Sequence, residues 1–230
     1  MSAHLAHRAA SVHKIFRPQG GSSWEPIFPI RDSAPLPDFD HPNLGNPDRI
    51  WAYRRGSNLY GYTVRFDCGG RKVLLPCTWC AKDGSGGAVK SWRWRQWRAP
   101  RPLYLPAGDL PDAAPVILVG DEELADAGYA CVELRAEYGW AAWPGSGRYA
   151  WKAADWSWLR GRVVVLLGGD TATSTIGRAL VAQQGCEVRL CDIRAALMSG
   201  SRRDLAMAGA SCWNIERVRR SVQEAAPLRP

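Results

Sequence analysis

The sequence predicts an α/β protein in which a small antiparallel β module precedes a parallel sheet flanked by helices. Three observations favour this class. Val163–Leu167 is a run of five aliphatic residues followed by two glycines, which is typical of a strand buried inside a parallel sheet. From Pro115 onward, candidate strands alternate with candidate helices. Residues 50–104 instead carry aromatic and β-branched runs separated by turn residues, which indicates antiparallel strands.

Composition sets broad limits on the class of protein. The chain has 230 residues, of which 46% are hydrophobic and 23% charged, so it can bury a globular core. Its formal net charge is +8, which favours an acidic partner such as nucleic acid. Charge alone says nothing about the fold.

The sequence gives no sign of a membrane or secretory segment. No apolar run approaches the roughly 20 residues that a membrane helix needs, and residues 1–20 contain histidines and basic residues without a continuous apolar block. The seven cysteines are odd in number and scattered. We therefore expect a cytoplasmic protein with free thiols and no membrane partner.

Residues 1–46 form a proline-rich segment without helical or strand periodicity. Seven prolines between positions 18 and 47 exclude a helix or a central strand over most of it. The segment is predicted to be an extended arm that lies along the folded body or along a partner. A partly disordered leader is compatible with the same composition.

Residues 47–110 are predicted to form the antiparallel β module. Ile50–Tyr53 and Leu59–Phe66 flank a Gly-Ser-Asn turn and so indicate a hairpin, and a further strand is expected between Lys72 and Cys80. Within Ser91–Trp97, tryptophan and polar residues alternate strictly from Ser91 to Arg95. Alternation in a strand places Trp92 and Trp94 on one face and Arg93 and Arg95 on the other.

The β module is strongly basic, because twelve lysines and arginines between positions 47 and 104 face three aspartates. Cations neutralise phosphates and aromatic rings stack on unpaired bases, so this pattern favours nucleic-acid binding. The alternative is that the tryptophans fill a thin core and the arginines form a solvated face. The candidate contact residues are Arg54, Arg55, Arg65, Arg71, Lys72, Lys90, Arg93, Arg95, Arg98, Trp92 and Trp94.

Cys77 and Cys80 form one CxxC pair in the β module. A structural zinc site needs four ligands and usually two such pairs, and the sequence has no second pair. No metal site is therefore predicted from the cysteines.

Residues 111–230 are predicted to form the α/β domain, built from parallel βαβ units with right-handed crossovers. The closing helix carries Arg217, Arg219 and Arg220 on its polar side, a second possible nucleic-acid contact. The predicted strands are Val116–Val119, Tyr138–Trp143, Val163–Leu167 and Glu187–Cys191. The predicted helices are Glu122–Arg135, Ser174–Gln184, Asp204–Ala208 and Asn214–Ala225.

Short motifs along nearly the whole chain resemble the topoisomerase–primase (Toprim) domain, in the form found in primase-like proteins of phages and mobile elements. These motifs include Trp51-Ala52-Tyr53-Arg54, Leu75-Pro76-Cys77-Thr78-Trp79-Cys80, Arg101-Pro102-Leu103-Tyr104, Pro115-Val116-Ile117-Leu118-Val119 and Gly161-Arg162-Val163-Val164-Val165. The resemblance implies a Toprim-like sheet and a role in replication.

The departures from the family pattern fall on its acidic residues. The family's first strand ends in Glu-Gly-Glu, and here Gly120 replaces the leading glutamate while Glu122 is retained. The family's metal-binding Asp-x-Asp corresponds to Gly169 and Thr171, with only Asp170 acidic between them. Glycine and threonine cannot replace paired carboxylates as Mg²⁺ ligands.

Three functional hypotheses remain open from the sequence. The first is a catalytically degenerate protein without a cofactor that binds nucleic acid, DNA more than RNA, as a subunit of a replication or mobile-element complex. The second is a Mg²⁺-dependent primase or nuclease whose ligands have moved to Asp121, Glu122 and Asp170, with Glu122 and Asp170 as catalytic candidates. The third is a protein-interaction subunit that uses the arm and the tryptophans.

Overall fold

A computed structural model describes residues 24–82, 84, 87–145, 149–168, 171–192 and 214–228. Three features named above lie outside these ranges: residues 1–23 of the arm, the Gly169-Asp170 pair, and the predicted helix Asp204–Ala208.

The β module is an antiparallel sheet in the order β1-β4-β3-β2, with β5 paired to β4. The predicted hairpin is confirmed by the pairing of β2 with β3. The strand predicted over Ser91–Trp97 is shorter than expected, because the Arg95 N–H bonds the Arg93 carbonyl at 2.8 Å and turns the chain. The strands are β1 (Glu25–Pro26), β2 (Arg49–Arg55), β3 (Asn58–Asp67), β4 (Lys72–Lys82) and β5 (Val89–Arg93).

Both faces of the module's sheet are covered, which explains why β3 is buried at consecutive positions. The inner face, with Trp51, Tyr53, Thr63 and Arg65, packs toward the α/β domain. The arm-side face, with Tyr62, Val64, Phe66, Leu75 and Cys77, is covered by residues of the arm and by Trp92 and Trp94.

The described part of the arm lies on the β module. Ile30 and His41 are buried, and the Ile30 N–H bonds the Leu59 carbonyl at 2.7 Å. The Phe39 ring meets Tyr62 edge-on with the ring centroids 4.9 Å apart. Residues 24–46 therefore supply part of the module's apolar core.

The α/β domain contains a four-stranded parallel sheet in the order β7-β6-β8-β9, and this confirms the predicted fold class. Two 3-10 turns, Ala150–Ala153 and Trp156–Leu159, connect β7 to β8. The strands are β6 (Val116–Val119), β7 (Gly139–Ala142), β8 (Val163–Leu167) and β9 (Glu187–Cys191). The helices are α1 (Glu122–Ala130), α2 (Val132–Glu137), α3 (Thr171–Gln184) and α4 (Ile215–Glu224).

The helix predicted over Glu122–Arg135 is two helices, because the backbone is extended at Cys131, with ψ 110°. The break redirects the chain so that Leu134 on α2 joins Leu124 on α1 in the same buried cluster.

Each face of the parallel sheet has its own apolar core. On one face, Ile117 and Val119 of β6 pack in a cluster with residues of α1, α4 and the β module; on the other, Val116 and Leu118 pack with α3 and the 3-10 turns. The face that carries Ile117 and Val119 is therefore where the β module joins the α/β domain.

In the part of the chain that the structure describes, no helix is both long and apolar enough to cross a membrane.

Candidate nucleic-acid interface

The predicted cationic residues do not form one surface. They divide into three groups at different places on the β module. Arg54 and Arg55 lie at the β2–β3 turn; Arg65, Arg71 and Lys72 lie at the opposite end of the same strands; and Lys90, Arg93, Arg95 and Arg98 lie in and after β5. Each group has its own environment, so each is described separately as a possible contact with nucleic acid.

The group around β5 is the most open and forms a basic edge, defined by Lys82, Lys90, Arg93, Arg95 and Arg98. Lys90, Arg93 and Arg98 are exposed, whereas Lys82 and Arg95 are half-buried. The antiparallel pairing of β4 with β5 places Arg93 opposite Thr78, on the face of Lys82, and Lys90 opposite Ala81, on the other face of the same edge.

Trp24 lies against two cations of the basic edge. The Arg93 guanidinium carbon is 4.1 Å from the centre of the indole ring, and the Lys82 Nζ is 5.1 Å from it. Glu25 is the acid that pairs here, with 2.6 Å between its Oε1 and Arg98 Nη2. Five cations therefore face one described carboxylate, and the local charge is strongly positive.

The β2–β3 turn is docked against the α/β domain. The Arg55 guanidinium lies 4.9 Å from the ring centre of Trp158 in the second 3-10 turn. The Gly56 N–H also bonds the Gly108 carbonyl, at 2.7 Å, in the segment that leads from the module into the α/β domain. Arg54 and Arg55 remain exposed, but they flank an internal contact.

At the opposite end, Arg65 has an internal role that the sequence pattern did not predict. Its guanidinium bonds Asp48 at 2.8 Å, forms an ion pair with Glu123 and lies 5.7 Å from the ring centre of Trp51. Its side chain is 10% exposed because the α/β domain covers this face of β3. Lys72 also pairs with Glu123, at 3.0 Å, and Arg71 is exposed.

Trp92 and Trp94 pack against the arm-side face of the module. Trp94 lies 5.2 Å from the His41 ring and 5.7 Å from the Phe66 ring, so it belongs to the core. Trp92 contacts Trp79 and Tyr62 with centroid distances of 5.3 and 5.6 Å. Both indoles are half-buried against the cluster that contains Val64 and Phe66, which fits the alternative interpretation of these tryptophans as core residues.

The acidic residues after β6 are all bound by protein groups. Asp121 caps α1, where its Oδ1 accepts a 2.9 Å hydrogen bond from the Leu124 N–H. Glu122 is 3% exposed, and its Oε1 accepts a 2.6 Å bond from the Tyr53 hydroxyl. Burial raises the pKa of Glu122, and the hydrogen bond from Tyr53 partly opposes the rise. Glu122 thus ties β2 to α1, and Asp170 lies outside the described residues.

Sequence reasoning missed Asp126 as part of the same contact. Its Oδ2 accepts a bond from Trp51 Nε1 at 2.8 Å and its Oδ1 accepts one from the Tyr104 hydroxyl at 2.5 Å. Burial is the main reason that the pKa of the Asp126 carboxyl and the pKa of the Tyr104 hydroxyl are both raised. The sequence places Trp51 and Tyr53 on one face of β2, and Glu122 and Asp126 on one face of α1, but it does not show that these two faces meet.

The CxxC pair lies within β4, where residues three positions apart face opposite sides of the sheet. Burial raises the pKa of Cys77 to about 12 and also raises that of Cys80. The six described cysteines are free thiols. Within the described ranges, no group of three or more His, Cys, Asp or Glu residues is arranged to hold a metal ion.

No model of a known protein family matches the sequence, and no curated protein matches it. Among solved structures, the chain is similar to one in a complex of the bacteriophage T7 lagging-strand DNA polymerase with primase domains of two gp4 subunits, bound to an RNA/DNA hybrid and dTTP. The similarity covers 72% of this chain and 84% of that chain, with 11% sequence identity and a TM-score of 0.41. These values are too low for any functional residue to be transferred from that chain.

Proposed function

We propose that this protein binds nucleic acid through the basic edge of its β module. The observation that carries the proposal is the basic edge itself: Lys82 and Arg93 lie over the Trp24 ring, Lys90, Arg95 and Arg98 lie in or just after the same strand, and Glu25 is the paired acid. Exposed cations of this density release counterions when they meet phosphates, which makes binding favourable at low salt. DNA is the first ligand to test, with RNA as its comparison.

The motif resemblance to Toprim primase-like proteins supports a place in a replication or mobile-element complex, where the chain is an accessory or structural subunit. Two features support a non-catalytic role. Gly120 stands where the family has its leading glutamate, and Asp121, Glu122 and Glu123 are bound to a helix N-terminus, a tyrosine and two cations respectively. Carboxylates held in this way are poor Mg²⁺ ligands, because a metal would have to displace their partners.

The test is fluorescence polarisation with a labelled 20-nucleotide duplex, measured from about 50 mM to about 200 mM salt. The double variant Arg93→Gln/Arg98→Gln removes two exposed cations of the basic edge. It should bind more weakly, and the slope of log K against log salt should shrink by about 1.8 if both cations contact phosphates. The matched control Arg135→Gln/Arg160→Gln removes two exposed cations of the α/β domain and should leave the slope unchanged.

Two outcomes would overturn the proposal. One is the absence of binding to any DNA or RNA by the unmodified protein at about 50 mM salt. The other is an equal loss of slope in both double variants, since this would mean that net charge acts without a local site.

A further inference from the structure

His41 belongs to the arm, but its imidazole is buried in the β module. The residue is 5% exposed. Its ring lies between Phe66 of the arm-side face and Trp94, which covers that face, with centroid distances of 5.7 and 5.2 Å. A charged imidazolium in this apolar cluster would lose most of its hydration, which is costly. The position therefore favours the neutral ring.

The hydrogen bonds of His41 also require the neutral ring. Nδ1 accepts a 3.2 Å hydrogen bond from the Asn43 N–H. A protonated Nδ1 would be a donor that faces this second donor, so the bond would be replaced by a repulsive contact. The same residue closes a turn with Gly45, since the two residues exchange main-chain hydrogen bonds of 3.0 and 2.8 Å. Protonation therefore acts directly on the turn that seats this part of the arm.

The charges around His41 do not offset its burial. Burial lowers the pKa of His41 below the ordinary 6.5, and the negative charge of Asp40 opposes that shift only in part. Asp38 of the arm is exposed, and its Oδ1 accepts the Asp40 N–H at 2.9 Å. The other charged residues on the elements packed around His41 lie on the opposite face of the sheet, and they are Arg65, Asp67, Lys72, Arg93 and Arg95.

From this geometry we propose that His41 is a pH-sensitive switch, whose protonation releases residues 35–45 of the arm from the arm-side face. The proposal goes beyond nucleic-acid binding and does not depend on it. Release would uncover the apolar cluster of β3 and β4 on which Phe39 and Leu44 pack.

The release is expected to be local, because the arm is held separately on either side of the segment. Before it, residues 25–27 pair with β4, and the Ile30 N–H bonds the Leu59 carbonyl. After it, β2 is paired with β3 from Arg49 onward. Between these points the segment has no strand pairing with the described sheet, and its docking depends on side chains.

The pH range follows from linkage. The imidazole titrates near its ordinary pKa of 6.5 when the segment is released and at a lower pKa when the segment is docked. Docking is therefore fully present above the ordinary pKa, and it weakens as the pH falls from there toward the lower pKa of the docked state. Because release takes up one proton, its equilibrium constant should rise by up to about tenfold per pH unit in this interval.

Hydrogen–deuterium exchange of the full chain, between about pH 7.5 and about pH 5, measures the release. At each pH the observed rate is compared with the intrinsic rate of the same peptide. Protection of residues 35–45 should fall with pH by the factor given above, while protection of Val163–Leu167 in β8 should stay constant. Constant protection of residues 35–45, or an equal loss in both peptides, would overturn the proposal.

Variants assign the pH dependence to His41. His41→Gln keeps a neutral acceptor for the Asn43 N–H but does not titrate, so protection of the segment should no longer vary with pH. Asp40→Asn removes the charge that favours the imidazolium, so release should begin at a lower pH. The matched control His4→Gln/His7→Gln/His13→Gln should retain the full pH dependence. Retention of the pH dependence in His41→Gln would contradict the assignment.

An NMR titration of the His41 ring in the unmodified protein covers the case in which His41→Gln releases the segment at every pH. The pKa of His41 should lie below the ordinary 6.5. A pKa at or above that value would overturn the proposal, because Asp40 and the Trp94 ring would then stabilise the cation within the docked arm.

Discussion

At the scale of single residues, the most informative group is the buried carboxylate of Glu122. It was a catalytic and metal candidate in the sequence, because it occupies the retained acidic position after a buried strand. The structure places it against Tyr53, a residue 69 positions earlier in the chain. The sequence around Glu122 does not predict a partner so far away in the chain. It therefore identifies Glu122 as an unusual acid but not its contact with Tyr53.

The pH dependence of stability follows from the position of Glu122. Burial raises its native pKa above the ordinary 4.5, so the native state holds the proton more readily than the unfolded state. The stabilisation that protonated Glu122 contributes is therefore fully present below the pKa that its carboxyl has in the unfolded state. It is lost as the pH rises through the higher pKa of the native state. Compared with Glu122→Gln, the unmodified protein should lose stability over the pH range above the ordinary pKa of 4.5, as Glu122 gives up its proton in the native state.

Urea denaturation of both proteins across this range measures the difference. Asp126 also has a raised pKa, but it titrates in both proteins and cancels in the comparison. The exposed Glu224→Gln variant serves as the control and should follow the unmodified protein at every pH. A stability difference between Glu122→Gln and the unmodified protein that does not vary with pH would contradict the assignment.

Arg65 gives a second prediction at the residue scale. Arg65→Gln should lower the free energy of unfolding by about 2 kcal/mol or more, because it leaves Glu123 and Asp48 without their shared partner. Its affinity for DNA should stay within twofold of the unmodified protein. The neighbouring exposed Arg71→Gln should change stability by less than about 0.5 kcal/mol. Loss of affinity without loss of stability would instead show that Arg65 reaches the ligand.

At the scale of elements, strands of the parallel sheet were predictable and the packing of helices on them was not. The aliphatic runs of β6 and β8 set their own bounds, because a strand buried on both faces has no polar positions, whereas β9 contains Glu187 and Arg189. The break between α1 and α2 was missed, because Leu124, Cys131 and Leu134 fit one helical period. Tertiary packing determines where the helix breaks, and the close contact of Gly128 with Trp140 is part of that packing.

Gly128 tests how tightly α1 packs on β7. A Cβ added at this position would lie 2.2 Å from the Trp140 ring, where no atom fits. In an open helix, Gly→Ala stabilises by roughly 0.5 to 1 kcal/mol. Here Gly128→Ala should lower the free energy of unfolding by about 1 to 3 kcal/mol, because the ring must move. In the double variant with Trp140→Leu, urea denaturation should show a loss smaller than the sum of the single losses.

At the scale of the whole molecule, the β module and the α/β domain share one apolar cluster and one set of polar contacts. Trp51 and Tyr53 of β2 lie in the same cluster as Ile117 and Val119 of β6, and their polar atoms bond Asp126 and Glu122 of α1. The sequence indicated two structural units and the basic character of the first. It could not indicate that the acids of the second unit hold the first in place, since this depends on long-range contacts.

This arrangement gives a prediction about metal ions. At about 10 mM Mg²⁺, a site with a Kd of about 1 mM would add about 1.4 kcal/mol to the free energy of unfolding. We expect no such gain, because Asp121, Glu122 and Glu123 are bound by protein groups. A metal would have to displace the cap of α1, the Tyr53 hydroxyl or Arg65.

Urea denaturation in Mg²⁺ and in KCl of equal ionic strength measures the gain, and Asp170→Asn provides the matched variant. A Mg²⁺-specific gain that Asp170→Asn abolishes would restore the metal-dependent primase or nuclease, with that aspartate as a ligand. A gain that Glu122→Gln abolishes would instead mean that the contact between β2 and α1 opens to admit the ion. Equal stability in both salts would mean that Asp121, Glu122 and Glu123 serve the fold and bind no Mg²⁺ under these conditions.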